Sequence, residues 1–182
     1  MPRRRLQGRG GAAYGRALVS QMSAIGRARG NLRTIVLIMS TQAVLPPFHL
    51  AIPVGDIDAA RAFYGDVMGF GRGRSDERWT DWNVDGHQVV THMVDDYTAP
   101  VAGHNFVDGH QVPVPHFGLV LSVERFQELA SRMTERGTDF VIKPYVRFQG
   151  EPGEQWTMFF LDPSGNAMEF KAFADLDQLF AV

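Results

Sequence analysis

The feature that most limits the fold of this chain is a repeated order of predicted elements. In the first copy, a strand with alternating apolar residues covers 48–54 and an amphipathic helix covers 57–68. Three extended segments follow at 70–75, 79–84 and 87–94, with an Asp-Gly pair between the last two that is typical of a hairpin turn. The first copy is therefore predicted to be a β-α-β-β-β unit.

The same order begins again at Pro115. The second copy is predicted to contain a strand over 116–122, a helix over 123–136 and strands over 140–148, 155–161 and 167–173. We therefore predict an α+β fold of two βαβββ units, one at about 47–95 and the other at about 115–174. Residues 96–114 have no periodicity and are interpreted as the linker between the units.

The first forty residues differ from the rest of the chain. Residues 1–38 contain no acidic residue, and eight of the 18 Lys and Arg residues precede position 40. We interpret 1–45 as a disordered leader or a misassigned start, with Met39 as the initiator, and 46–182 as a single domain. A targeting segment is the alternative, although its apolar run at 32–39 is too short to span a membrane.

Composition excludes several classes of site. The chain has no cysteine, so thiolate metal sites, iron–sulfur clusters and disulfides are excluded. After position 40, ten basic and twenty acidic residues leave a net charge of −10. Nucleic acid and membrane are therefore not expected as partners, because binding to phosphate requires clustered basic residues. We expect a cytoplasmic protein that acts on a small molecule.

Three side chains form a candidate metal site. His49 and His116, 67 residues apart, lie at the same place in the two copies, early in the first strand. Glu169 lies in the apolar last strand, where a buried carboxylate needs a partner or a metal. A single histidine is more commonly a core or surface residue, but two imidazoles and one carboxylate suit non-haem Fe(II) and also Mn, Zn or Ni.

Several motifs resemble those of one superfamily. They are Pro47-Phe48-His49-Leu50-Ala51, Ala62-Phe63-Tyr64, Gly69-Phe70, Pro115-His116-Phe117-Gly118 and the run Phe160 to Phe170, which contains Asp-Pro-Ser-Gly-Asn. They resemble the vicinal-oxygen-chelate superfamily of glyoxalase I, bleomycin-resistance and extradiol-dioxygenase proteins, over about 46–182. Segments 86–90, 104–115 and 148–155 are similar to a bacterial group of predicted extradiol-dioxygenase-type proteins.

The resemblance implies a curved mixed sheet around a metal held by His49, His116 and Glu169. Glyoxalase I relatives add a fourth ligand from the last strand of the first unit. Aligning the turns before the two last strands places Val90 there, which cannot bind a metal. This departure favours a three-ligand site with open positions. His92 lies two residues further on the same strand face and keeps a four-ligand site as an alternative.

Three further residues are candidates for catalysis. His92 is a candidate acid or base, because an imidazole exchanges protons near neutral pH. Tyr145 and Arg147 lie two apart on one predicted strand, where they would bind or polarise an anionic oxygen of the substrate; a solvated strand face is the alternative.

The resemblance and the open metal positions predict a metal-dependent enzyme of the extradiol-dioxygenase type. It would use Fe(II) on a small vicinal diol or a similar oxygen chelate, and the superfamily implies a homodimer. One alternative is a lyase or isomerase of the glyoxalase or epimerase kind that uses Zn, Ni, Co or Mn. Another is a non-catalytic protein that sequesters a small ligand.

Overall fold

The structure is a computed structural model that describes residues 45–100 and 103–180. The predicted leader falls almost entirely outside these residues. The strands are β1 (His49–Val54), β2 (Gly71–Asp76), β3 (Trp79–Val84), β4 (His87–Met93), β5 (Gly103–Val107), β6 (His110–Val114), β7 (Phe117–Leu121), β8 (Phe140–Arg147), β9 (Gln155–Leu161) and β10 (Ala167–Ala172). Within the described ranges, no helix is long and apolar enough to cross a membrane.

The first unit is a four-stranded sheet with a helix between its first two strands. The strand order is β1-β4-β3-β2, with β1 and β4 parallel and the other neighbours antiparallel. Helix α1 (Ile57–Arg61) begins where the Asp56 carboxylate accepts hydrogen bonds from two backbone N–H groups of its first turn. The helix continues as a π-helix over Ala62–Val67, so the helix predicted over 57–68 changes type after its first turn.

The second unit repeats this arrangement. Its sheet has the order β7-β10-β9-β8, again with one parallel pair, β7 and β10. Helix α2 (Val123–Glu135) is capped by the Ser122 hydroxyl and ends before Gly137, whose φ of 72° favours glycine. The α+β prediction of two βαβββ units is confirmed.

The segment 96–114, interpreted from the sequence as the linker between the units, contains two strands in its second half. Strands β5 and β6 pair as an antiparallel hairpin around Asp108 and Gly109, both with positive φ. An Asp-Gly pair favours such a turn, but the prolines and glycines nearby disfavour strands. The two flanking strands were therefore not predicted. Val112 packs on Ile142 and Phe159, so the hairpin covers part of the second sheet.

One apolar core joins the two units. The largest fully buried side chains in it come from both sheets and both helical segments, and they include Tyr64, Trp82, Phe126, Phe160 and Phe170. The Tyr64 hydroxyl donates a hydrogen bond of 3.0 Å to Asp162, which is 4% exposed. Burial raises the pKa of Tyr64, and the Asp162 carboxylate raises it further. The two units therefore pack together through the helical faces of their sheets. The opposite faces remain available to form a site.

Candidate metal centre

His116 and Glu169 meet on the non-helical face of the second sheet. His116 lies directly before β7, and Glu169 is in the neighbouring strand β10. The Nε2 atom of His116 is 3.2 Å from Oε2 of Glu169. On the other side of the ring, Nδ1 lies 2.6 Å from the backbone carbonyl of Pro113 and donates a hydrogen bond to it. The carbonyl therefore directs Nε2 toward the carboxylate.

The carboxylate of Glu169 is buried and fully engaged. It is 5% exposed, and the Thr157 hydroxyl donates a hydrogen bond of 2.9 Å to its Oε1. The Lys171 ammonium lies 3.3 Å from Oε2, the oxygen that also faces His116. Burial raises the pKa of Glu169, but the hydrogen bond from His116 and the charge of Lys171 outweigh it, so the pKa lies below its usual value. Glu169 is therefore held as an anion.

The same pair holds a proton on His116. The hydrogen bond to Glu169 raises the pKa of His116 above its ordinary value, against the opposing effects of burial and of Lys171. The proton that this shift stabilises is on Nε2, because Nδ1 already donates to Pro113. One proton therefore lies between Nε2 and Oε2, and a metal ion can take the place of that proton.

The geometry of the pair fits two ligands of one divalent metal. Ligand bonds of roughly 2.1 Å at right angles place the two donor atoms about 3.0 Å apart, close to the 3.2 Å between Nε2 and Oε2. Metal-bound histidines usually donate their other ring N–H to a carbonyl or carboxylate, as His116 does to Pro113. Lys171 shares Oε2 and would have to turn away from a metal bound there.

His49 is not brought to this pair. It is exposed on the first sheet, and its Nδ1 lies 2.8 Å from Oε1 of Gln88. Its place in the unit is nevertheless equivalent to that of His116. His49 lies two residues before Ala51, which pairs with Val90 in the last strand of the first unit. His116 lies two residues before Gly118, which pairs with Glu169 in the last strand of the second. Within 45–100 and 103–180, no three His, Asp or Glu side chains are grouped so that they could hold a metal.

The strand pairings also align the remaining candidates of the first unit. Ala51 pairs with Val90 and Gly118 with Glu169, so Val90 occupies the position of the glutamate and is buried. The alignment predicted from the turns therefore agrees with the register of the sheets. His92, two residues later, is exposed on the same strand face.

Tyr145 and Arg147 share the sheet face that carries Glu169. Arg147 Nε donates a hydrogen bond of 3.1 Å to the Tyr145 hydroxyl, which donates one of 3.3 Å to Asp108 on the β5–β6 turn. Arg147 is only 6% exposed, so a solvated strand face does not describe it. The structure places these two residues together, beyond the His116 and Glu169 pair along the strands.

Sequence reasoning missed three groups that contact the pair: Thr157, Lys171 and the carbonyl of Pro113. Lys171 is two residues after Glu169, and strand alternation alone would have placed it on the same face. Thr157 becomes adjacent only through the pairing of β9 with β10, where it lies opposite Lys171. The Pro113 carbonyl carried no signal, because it depends on the path of the chain before β7.

Two cavities meet at His116. One, of about 380 Å³, is lined by the His116 and Glu169 pair with Lys171 and by apolar side chains of β1 and β7. The other, of about 270 Å³, is also lined by His116 and extends to Tyr97 and Asn166. Leu50 and Phe117 border both cavities, so His116 adjoins two cavities with apolar walls.

Comparison with known proteins gives a consistent family. The chain is 30% identical to a glyoxalase/bleomycin resistance protein/dioxygenase from Alicyclobacillus acidocaldarius, with a TM-score of 0.62 over 74% of this chain and 96% of that one. A glyoxalase/dioxygenase from Nostoc punctiforme is 15% identical, with a TM-score of 0.55 over 76% and 97% of the two chains. The fosfomycin resistance protein FosX from Listeria monocytogenes is 17% identical, with a TM-score of 0.53 over 71% and 93%.

The two latter likenesses concern the fold alone. No curated protein matches the chain. The family model described as Glyoxalase/Bleomycin resistance protein/Dioxygenase superfamily matches residues 47–170, which include His49, His116 and Glu169. The chain therefore belongs to the glyoxalase, bleomycin resistance protein and dioxygenase superfamily.

Proposed function

We propose that this protein is a metal-dependent enzyme in which His116, Glu169 and His49 bind one divalent metal. The observation that carries the proposal is the convergence of His116 Nε2 and Glu169 Oε2 at 3.2 Å, with the outer atoms of both side chains fixed by Pro113 and Thr157. Two side chains whose outer atoms are held by hydrogen bonds in this way are typical of metal ligands.

A second copy of the chain would supply His49. On β1, His49 and Ala51 are exposed, whereas Ile52 and Val54 on the other face belong to the core. Gly118, beside Glu169, is exposed as well. The non-helical faces of both sheets are thus open near the candidate ligands. In a homodimer, the open face of one copy's first sheet would cover the open face of the other copy's second sheet.

The reaction we propose is of the extradiol-dioxygenase type, on a small molecule with two vicinal oxygens. Bound Fe(II) would supply adjacent positions for the two substrate oxygens and O2 and would lower the pKa of the substrate hydroxyls. Val90 supports this choice, because a valine at the position equivalent to Glu169 leaves three protein ligands and an open face on the metal.

The chain's own residues would orient the substrate and move its protons. Lys171, 3.3 Å from the ligand carboxylate, would hold a positive charge beside the deprotonated oxygens. The ring of Phe159 meets that of His116 edge to face, with centroids 5.2 Å apart, and would fix the orientation of the imidazole. His92, exposed on the first sheet, would exchange protons with the substrate from the opposing copy.

A lyase or isomerase that uses Zn, Ni, Co or Mn is the second candidate. The observation that favours it is the exposure of His92, which lies two residues after Val90 on the same face of β4. Its imidazole is therefore free to become a fourth ligand. In such an enzyme, Lys171 would move a proton next to a polarised carbonyl.

The first experiment is metal analysis of protein purified anaerobically, with His49→Ala and Glu169→Ala variants and His104→Ala as the matched control, since His104 is exposed on the β5–β6 hairpin. Oxygen uptake is then measured with a panel of catechols. Stoichiometric iron that is lost in the first two variants only, together with oxygen uptake, supports the dioxygenase. Zinc, nickel, cobalt or manganese without oxygen uptake favours the lyase, and no metal in any preparation rejects both.

Hybrid dimers test the second copy. Neither His49→Ala nor Glu169→Ala alone should bind metal, but mixing the two variants by unfolding and refolding should restore one complete site in each hybrid. A quarter of the wild-type metal content is expected, since about half of randomly formed dimers are hybrids with one of two sites intact. If the mixture binds no more metal than the separate variants, the ligands come from a single copy.

A further inference from the structure

A buried cation without an anionic partner lies on the site face of the second sheet. The Arg147 side chain is 6% exposed, and no carboxylate among the described residues is within 4.0 Å of it. Its Nε donates to Tyr145, but one terminal nitrogen of the guanidinium has no hydrogen-bond acceptor in the described part of the chain. Burying a charged donor without an acceptor is unfavourable, so an acceptor is expected there.

A second buried polar atom lies opposite it. Gln155 is the direct cross-strand partner of Arg147 and is 8% exposed. Its Oε1 likewise has no hydrogen-bond donor among the residues that the structure describes. Residues paired across antiparallel strands project from the same face, so an unpaired donor and an unpaired acceptor lie on one face without bonding to each other. A ligand with an acidic group and a neighbouring hydroxyl would satisfy both.

The position of this pair relative to Glu169 follows from the register. Tyr145, Thr157 and Lys171 form one row across β8, β9 and β10, and Arg147 with Gln155 forms the next row. Thr157 is hydrogen-bonded to Glu169, which lies one row in the other direction. Successive rows on one face are roughly 7 Å apart. The guanidinium therefore lies on the same sheet face as the His116 and Glu169 pair, two rows from Glu169, which is the length of an elongated small molecule.

The β5–β6 hairpin covers the outer side of this row. The Tyr145 hydroxyl donates to Asp108, and the His110 ring packs on the Tyr145 ring with centroids 4.6 Å apart. The Asp108 carboxylate reaches Arg147 only through that hydroxyl, so it does not neutralise the guanidinium directly. Because Arg147 is buried beside this hairpin, its attraction for an anion is stronger than that of an exposed arginine.

We propose that Arg147 and Gln155 form a subsite for an acidic group of the substrate, a carboxylate or a phosphonate, remote from the oxygens that bind the metal. The planar guanidinium donates to an anionic oxygen, and Gln155 Oε1 accepts from a hydroxyl next to it. The assignment of this acid as part of a substrate depends on the function proposed above, whereas the binding of an anion by Arg147 does not.

The test of the subsite uses metal-free protein and two probes of the same shape, phenylacetate and its neutral analogue phenylacetamide. Calorimetric titration should give a Kd for phenylacetate that is about 10-fold to 100-fold lower than for phenylacetamide. Arg147→Met should abolish this difference, and Arg125→Met should keep it, since Arg125 is in α2 and pairs with Asp85. Equal affinities in the wild type, or a difference that survives Arg147→Met, would overturn the proposal, as would no binding of either probe.

Gln155→Leu gives an independent result if Arg147→Met does not fold. With 2-hydroxyphenylacetate as the probe, this variant should bind about 10-fold more weakly than the wild type, and unchanged affinity would overturn the role of Gln155. Metal-loaded protein then separates the two proposals. Tighter binding of 3,4-dihydroxyphenylacetate than of its methyl ester supports a substrate acid, while anion binding without metal binding leaves the subsite intact and rejects the enzyme.

Discussion

Replacing Thr157 by valine tests whether the Glu169 carboxylate is oriented for a metal. Thr157 is fully buried, and its hydroxyl donates 2.9 Å to Oε1 of a carboxylate that is 5% exposed, so water cannot replace it. A hydrogen bond to a charged group contributes about 1.5 to 3 kcal/mol. Valine keeps the shape of the side chain, and Oε2 keeps its contacts with His116 and Lys171. We therefore expect a loss of about 2 kcal/mol in the free energy of unfolding.

The metal affinity of Thr157→Val should fall by about 10-fold to 100-fold, the usual effect of removing a group that orients a metal ligand. Urea denaturation measures the stability, and competitive titration with a chelator measures the affinity. Thr80→Val is the control, because Thr80 is equally buried but accepts its hydrogen bond from Arg61 in the first unit. Wild-type metal affinity in Thr157→Val would refute the orienting role, as would an equal loss of affinity in both variants.

Four other substitutions have defined outcomes. His116→Gln should destabilise the metal-free protein most between pH 4.5 and pH 6.5 and progressively less as the pH rises above 6.5, measured by denaturation across pH. The raised pKa of His116 contributes stability that is complete below 6.5 and is lost as the pH rises through the folded-state pKa. The lowered pKa of Glu169 contributes stability that is present above 4.5 and is lost as the pH falls through the folded-state pKa. Gly118→Ala should cost about 2 kcal/mol or more and lower the metal affinity, because its Cβ would collide with the backbone carbonyl of Glu169; a stable variant with normal affinity would contradict the packing. Tyr64→Phe should lower the free energy of unfolding, measured by urea denaturation, by about 1 kcal/mol, since Asp162 keeps three other hydrogen bonds. Asp162→Ala should lower it clearly more, because all four hydrogen bonds are lost.

The parts of the fold that depend on local patterns were predictable from the sequence. Strand β9 has the predicted bounds because its apolar run ends at the Asp-Pro-Ser-Gly turn. The π-helix over Ala62–Val67 was not predictable, since apolar side chains at helical spacing fit α- and π-turns alike. The β5–β6 hairpin depends on packing of Val112 against the second sheet, which local propensity does not contain.

The candidate site was predictable to the same extent. The repeat identified His116 and the apolar strand identified Glu169, and the structure brings these two together. The sequence could not identify Thr157, because its contact with Glu169 comes from the pairing of β9 with β10 rather than from spacing along the chain. The sequence also contained no information on whether His49 reaches the pair within one copy of the chain or, as proposed above, from a second copy. The repeat specifies which positions of the two units are equivalent, whereas the association of two copies of the chain would decide which of these positions come into contact.

The two units are equal in fold but unequal in chemistry, and this inequality limits how the proposed metal could be held. In the second unit, the histidine directly before β7 and the glutamate on the adjacent strand β10 converge. In the first, the glutamate position is Val90, and the nearby carboxylate belongs to Asp81, directly opposite on β3. Asp81 is 7% exposed and is neutralised by Arg74 at 2.9 Å, so it is already paired. The first unit therefore offers one histidine, the second offers two ligands, and a three-ligand metal requires one unit of each kind to face the other.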